Sequence, residues 1–442
     1  MPSPFSMTIH RGTHVIGGSC VELACGGSRI IIDLGKPLMK PGGAELDFRR
    51  YEGLSGPELL DEGMLPDVAG LYEWQAPSVA ALLISHAHQD HSGFLNHVHP
   101  DIPVYLGEGT KRLIEVNTDF TPSKLHLNNP VVFSWPGSFT VGAFRVIPHL
   151  VDHSSFGSFA FEIEAGGRRV FYSGDFRDHG YIGGKTLEII ADKCAPGVDA
   201  LLMEGTMLGR TEEKVQTEQE LADEVTVRYR DFPKALLVYQ SGQNVSRAVS
   251  FYKAARKLNR ELVLDFYTAH VLAELGQCSG GSRLPYPGNL DGIRVWYPHW
   301  LMENRKKAGR WDLINRFSRT SFKMSRNEMP DKLDKIMLYV RPPMDYDLER
   351  IRGIGGSVLL YSLWSGYLKA ERTKSFVDRL QSMGIEKHLI HTSGHAPVAT
   401  LQRLVDILRP RMLFPIHTLH PEQYKQFGVE VETLEDGEVK AL

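Results

Sequence analysis

The sequence predicts a two-part α/β protein: an outer domain rich in antiparallel strand, interrupted by an inserted domain in which strands and helices alternate. Three observations carry this expectation. Hairpin patterns occupy 14–35 and 142–175, strand and helix patterns alternate from 217 to 384, and a strand–loop–helix–strand pattern closes the chain over 387–420. The implied boundaries are 1–207 and 386–442 for the two parts of the outer domain, and 208–385 for the insert.

Residues 14–35 read as a hairpin, because β-branched runs flank a "CGGS" turn and Asp33 stands at the exit of the second run. A Gly- and Pro-rich, loop-like stretch follows over 36–78. An apolar run at 80–85 then reads as a buried strand. Residues 142–175 give antiparallel strands turning at Gly166-Gly167, and "VDALLMEGT" (198–206) is a strand ending in Glu204. In the insert, 217–231 is a helix opened by a capping box of Thr217 and Glu220. "KALLVYQSG" and "ELVLDFY" are strands, each followed by a helix, and "SVLLYSL" with "KSFVDRLQSMG" repeats the unit.

Composition narrows the classes. A hydrophobic content of 42% and a charged content of 23% are those of a globular protein, and 442 residues suggest more than one core. Lys plus Arg number 50 against 53 Asp plus Glu, which gives no broad basic footprint for nucleic acid but leaves room for a local groove. The four cysteines form no CxxC pair, so neither a disulfide framework nor a cysteine zinc ribbon is indicated. No apolar run approaches the roughly 18 residues of a membrane span, and the N-terminus lacks a signal-peptide core. A reducing, cytosolic setting without a membrane partner is the expectation.

Chemistry concentrates in "AALLISHAHQDHSGF" (80–94), where His86, His88, Asp90 and His91 occupy six positions. Two divalent metals a few ångströms apart need about seven donors, mostly imidazole nitrogen and carboxylate oxygen. HxHxDH supplies four from one turn: the first two histidines can share one ion while the Asp-His pair reaches the other. Further donors stand at strand ends: His153 in "VDHSSFG", Asp175 in "FYSGDFR" and His417 in "LFPIHT". Asp33 suits a carboxylate that orients a ligating imidazole, with loop capping as the alternative.

In this order, "IIIDLG", "SHAHQDHSG", "DHSS" and "YSGDFR" resemble the motifs of the metallo-β-lactamase superfamily. The resemblance covers about 1–205 and the C-terminal strands, and implies an αββα sandwich with a dinuclear site at one edge. By it, His86, His88 and His153 hold one metal, Asp90, His91 and His417 the other, and Asp175 bridges. Glu204 in "LLMEGTMLG", His395 in "HTSGHA" and His417 in "FPIHT" are similar to motifs A, B and C of the nucleic-acid-cleaving β-CASP branch, with the α/β insert between A and B. The pattern looks most like ribonuclease J-type nucleases. It departs from them where Thr418-Leu419 replaces Gly-Glu after the histidine. The chain also ends 25 residues after His417, without the C-terminal domain of typical members, which leaves assembly open.

The resemblance implies a metal-dependent ribonuclease that hydrolyses single-stranded RNA through a hydroxide bridging two metals. Zinc suits a His-rich N/O site, and manganese fits similar ligands. His395 would protonate the leaving oxygen, with Glu204 holding and charging its ring. Ser393 and the Gly394 backbone would meet a phosphate before the following helix. In the insert, Ser241, Gln243, Asn244 and Arg247 sit at a strand-to-helix turn, the ligand end of a parallel sheet; helix capping by Asn244 with a solvated Arg247 is the alternative. "RVWYPHWLMENRKKAGRW" (294–311) has a composition suited to base stacking, or to an amphipathic lid. A DNA-end nuclease, a small-molecule hydrolase and a non-enzymatic RNA-binding protein are the competing readings. The first keeps the site and changes the polymer, the second needs no insert, and the third needs no intact donor set.

Overall fold

Period-2 patterning builds the molecule. In "RRVFY", Val170 and Tyr172 enter one core while Phe171 enters another, as successive side chains of a strand must. The computed structural model describes residues 5–39, 46–120, 125–210 and 215–442; residues 40–45 of the loop-like stretch lie outside them. The chain forms two compact units: Met1–Glu213 with Gly394–Leu442, and Lys214–Ser393.

The first unit holds two sheets. One contains β1 (Ser6–Arg11), β2 (Cys20–Cys25), β3 (Ser28–Ile32), β4 (Ala81–Ile84), β5 (Val104–Leu106) and β6 (Pro130–Val132) in that spatial order. The other contains β7 (Phe139–Val141), β8 (Phe144–Val151), β9 (Ser158–Ala165), β10 (Arg168–Tyr172) and β11 (Ala200–Glu204). Met7, Leu23, Ile32 and Leu83 of the first sheet pack against Phe144, Phe161, Val170 and Leu202 of the second in a shared core. Helices Gly183–Lys193 and Val398–Leu408 cover the second sheet's other face through Leu187, Ile190, Leu401 and Leu404. This is the sandwich that the resemblance implies.

The second unit is built on a seven-stranded parallel sheet, again as expected. Its strands are β12 (Leu236–Tyr239), β13 (Glu261–Asp265), β14 (Ile293–Trp296), β15 (Lys323–Met324), β16 (Ile336–Tyr339), β17 (Val358–Tyr361) and β18 (Glu386–Leu389), in the order β15-β14-β13-β16-β12-β17-β18. Every pairing is parallel. The Thr217–Glu220 capping box opens helix Glu218–Arg228. One boundary moves. The sequence reading assigns 386–393 to the outer domain, but β18 pairs with β17 from Val358↔Glu386 to Tyr361↔Leu389, so the second unit runs to Ser393. Pairing across the chain settles that edge, and local pattern cannot see it. The outer sheets are completed by β19 (Met412–Ile416) beside β11 and β20 (Val439–Ala441) beside β1. No helix among the described residues is long and apolar enough to cross a membrane.

Candidate metal centre

Strand direction assembles the centre. Both β8 and β10 run antiparallel to β9, while β10, β11 and β19 are mutually parallel, so four strands end at one edge of the second sheet. Beyond those ends come His153, Asp175, Glu204 as the last residue of β11, and His417. The first sheet delivers Asp33 after β3 and His86 after its parallel neighbour β4. The turn Gln89–Ser92 carries Asp90 and His91, with His88 at its start.

The donors fall into two adjoining groups: His86, His88 and His153, then Asp90, His91, Asp175 and His417, with ligand atoms of each group within 4.8 Å of one another. His153 and His395 also lie in such a group with Asp175. His91 Nε2 lies 3.2 Å from Asp175 Oδ2, and His417 Nε2 lies 3.7 Å from Asp90 Oδ2. Buried polar atoms normally find a partner. Here His86 Nε2, His91 Nε2, His417 Nε2 and both Asp175 oxygens have no hydrogen bond. His153 Nε2 and His88 Nδ1 face each other at 3.0 Å. The arrangement fits divalent cations, which replace the missing partners.

Electrostatics agree with ligation at most positions. Burial first, then the crowding of like rings, holds His86 and His153 well below the usual histidine range. Burial also lowers His88 and His417. Neutral imidazole is the ligating form. His91 departs: burial pushes it down, but the Asp175 and Asp33 carboxylates outweigh that and hold it well above its usual value. A cation bound there would take the place of its proton. Burial disfavours the Asp175 carboxylate, yet the rings of His417, His91 and His395 keep it ionised.

Supporting residues aim these rings, and sequence reasoning missed several of them. Asp33 is fully buried, in the left-handed region at φ 61°, where Asp is among the few tolerated residues. Its Oδ2 accepts from His91 Nδ1, Tyr172 OH and Ser85 Oγ, each at 2.7 Å, and its Oδ1 accepts from Ser85 N at 2.8 Å. Ser85 Oγ lies 3.0 Å from His86 Nδ1. Since that hydroxyl donates to Asp33, it accepts from His86, leaving His86 Nε2 with its lone pair. His153 Nδ1 donates to the Gly394 carbonyl at 2.6 Å, which frees Nε2 in the same way. Behind His417, Ser19 Oγ lies 2.9 Å from Nδ1, while Thr418 turns to the Gly205 carbonyl. A tyrosine hydroxyl on the inward face of β10 was the one legible signal, since such a group needs a partner.

Glu204 is fully buried and accepts from Phe176 N at 3.1 Å and Thr206 N at 3.2 Å. Its oxygens lie 3.0 and 3.2 Å from His395 Nδ1. Burial lowers the His395 pKa, but Glu204 and then Asp175 outweigh it and raise it to about 9. Its side chain keeps 21% of its surface exposed. The helix that follows is capped by Pro397, so His395 does not serve as that cap.

The expected substrate contacts fare unevenly. Ser241 is exposed at the turn after β12, and Asn244 caps helix Val245–Lys257 by accepting from Arg247 N at 3.0 Å. The Asn244 cap is present, but Arg247 is not solvated. It is fully buried, with Nε on Glu218 at 2.9 Å, Nη1 on Ser362 and Nη2 on the Thr392 carbonyl at 2.9 Å. The ion pair with Glu218, at the start of the neighbouring helix, claims the guanidinium. Ser393 is buried, and Gly394 offers its carbonyl to His153. In the aromatic stretch, Trp296 is core, whereas Trp300 and Trp311 are 46% and 53% exposed.

Residues 64–237 match the family model described as the beta-lactamase superfamily domain. The chain carries a metallo-β-lactamase domain, a fold that implies divalent metal binding and hydrolase chemistry, and the buried His and Asp groups fit that metal. Among curated proteins it is similar to the ribonuclease J of Sinorhizobium meliloti, 25% identical over 88% of this chain and 67% of that one. It is also similar to the ribonuclease J of Helicobacter pylori, 21% identical over 97% of this chain and 59% of that one. The chain therefore spans about three fifths to two thirds of the length of these relatives. A solved structure, a protein of unknown function from Enterococcus faecalis, shares the fold with TM-score 0.78 at 22% identity, covering 99% of this chain and 100% of that one.

Proposed function

We propose that this protein is a metal-dependent ribonuclease that hydrolyses phosphodiester bonds of single-stranded RNA. The observation that carries the reading is the pairing of the partly exposed His395 with the buried Glu204 beside the seven-donor cluster. A small-molecule hydrolase of this fold needs the donors but neither the α/β insert nor a residue in the place of His395. When bound, two divalent cations, zinc or manganese, supply hydroxide at neutral pH and an electrophilic clamp for a phosphoryl oxygen. His86, His88 and His153 would hold one cation and Asp90, His91 and His417 the other, with Asp175 placed to reach both. Asp33 orients His91 and, through Ser85, His86. Glu204 holds His395 by Nδ1 and keeps its ring charged, so that the imidazolium can give a proton to the departing sugar oxygen. The similarity to ribonuclease J supports RNA as the polymer, and Ser241 at the ligand end of the parallel sheet is available to a backbone.

The test is His395→Ala on 5′-phosphorylated and 5′-hydroxyl RNA, with zinc and with manganese. Metal content should match the unaltered protein while turnover falls by roughly two to four orders of magnitude, the range general acid–base groups contribute. Unchanged RNA cleavage by this variant overturns the assignment. Faster cleavage of a matched DNA oligonucleotide by the unaltered protein moves the substrate to DNA, since the 2′-hydroxyl is the difference sensed.

A further inference from the structure

Away from the candidate centre, a second kind of donor cluster lies beneath the helix layer. His149, Glu162 and Cys194 bring ligand atoms within 4.8 Å of one another, and each side chain is nearly fully buried. They come from three elements. In the β8–β9 ladder His149 pairs with Ala160 and Ile147 with Glu162, so His149 and Glu162 are diagonal neighbours on the helix-covered face. Cys194 ends helix Gly183–Lys193 and packs into the core between that helix and the sheet. His149 Nε2 lies 3.2 Å from Glu162 Oε2, a spacing that two ligands of one tetrahedral ion also adopt.

We propose that His149, Glu162 and Cys194 form a third metal site, for a thiophilic divalent cation such as zinc, which ties the end of helix Gly183–Lys193 to the β8–β9 ladder. Its chemistry differs from that of the main centre. One imidazole, one carboxylate and one sulfur select zinc over manganese or magnesium, whereas the main centre offers only nitrogen and oxygen. Binding forms the metal–sulfur bond as the thiol loses its proton to solvent, with water completing the tetrahedron. The charges allow it: a dication against one thiolate and one carboxylate is neutral. A nearby cation, Arg169, has its Nε 3.4 Å from the other Glu162 oxygen, away from His149, and its Nη2 on the Ala195 carbonyl. Burial, then Glu162, pushes the Cys194 thiol up to about 12, so without a cation it is an inert thiol rather than a nucleophile.

The experiment is cobalt titration of the purified full chain after metal removal. Among the described residues no other His, Asp or Glu cluster includes a cysteine, so a near-ultraviolet thiolate-to-cobalt charge-transfer band reports this site alone. The band should develop fully within three equivalents of cobalt per chain, two for the main centre and one for this site, with the intensity of one thiolate ligand. It should vanish in Cys194→Ser, fall strongly in His149→Ala, and persist in His86→Ala, whose main centre is disabled. Absence of the band from the unaltered protein overturns the proposal, as does its survival in Cys194→Ser or its loss in His86→Ala. The reading is of sulfur ligation and not of RNA cleavage, so either proposal can fail without the other.

Discussion

Asp33 shows how one carboxylate sets the state of a site it does not enter. With four donors on its two oxygens it is a saturated acceptor, and replacing it by Asn puts an NH2 where a donor already points. Asp33→Asn should weaken zinc binding by roughly 10- to 100-fold, the usual effect of losing such a support. Competition with a chromophoric chelator measures it; full affinity in the variant reduces Asp33 to a loop cap. Arg247 teaches the opposite lesson. Its sequence setting suggested a phosphate ligand, yet a cation pointing into its own unit is claimed by the nearest buried anion, Glu218, and nothing in local sequence reveals which way it points.

Among elements, the segment after β3 acts as a strap on the metal turn. Leu34 N donates to His91 O and Lys36 N to Gln89 O, both at 2.8 Å, while Ser19 N donates to Asp90 O at 3.1 Å. Gly35 lies so close that a Cβ there would fall 1.6 Å from Asp90 O and 2.7 Å from His91 N. The glycine is required by that approach, since backbone cannot yield as a flexible side chain can. Gly35→Ala should displace Asp90 and His91, with circular dichroism to check that the variant folds. Metal analysis should show the second cation lost and the first retained; two cations at unaltered affinity would show that the turn shifts freely. A further clamp joins two ligand loops: Arg177 pairs with Asp152 by Nε–Oδ1 at 2.7 Å and by backbone at 2.7 Å, locking the residues beside His153 and near Asp175.

For the molecule as a whole, stability should depend on cations and on pH through different units. The first unit buries seven donors in one corner, and cations that bind only the folded state stabilise it by mass action, by about 2.7 kcal/mol per site at a hundredfold excess over Kd. Chelator should therefore lower the melting temperature of the first unit, and an unchanged melt would mean the cluster holds no cation. The second unit carries a proton-linked element instead. His270, 1% exposed, donates Nε2–H to the Leu313 carbonyl at 3.0 Å and accepts at Nδ1 from Arg316 at 3.4 Å. Burial first, then Arg316, lowers its pKa to about 4. The unfolded chain takes up a proton near pH 6.5 and the folded chain only near 4. Stability of this unit is thus full above pH 6.5 and falls as pH drops through that window, by about 3 kcal/mol in all. Urea melts at pH 7 and pH 4.5 should show the loss, and His270→Gln should flatten it; equal slopes in both proteins would exclude His270 as the source.

The sequence alone determined the parts that are local: the hairpins, the parallel insert, the capping box at Thr217, and seven metal-type donors. Each rests on a period, a turn or a run of ligand residues within a few positions. The tertiary structure alone decided the parts that depend on strands far apart in the chain. The direction of β8, β10, β11 and β19 brought His153, Asp175, Glu204 and His417 to one edge. Pairing of β18 with β17 moved a boundary, packing turned Arg247 inward, and a ladder diagonal placed His149 and Glu162 beside Cys194. The reason is that periodicity states which face a side chain takes, whereas its partner across a sheet is set by register and by burial, both of which belong to the folded chain.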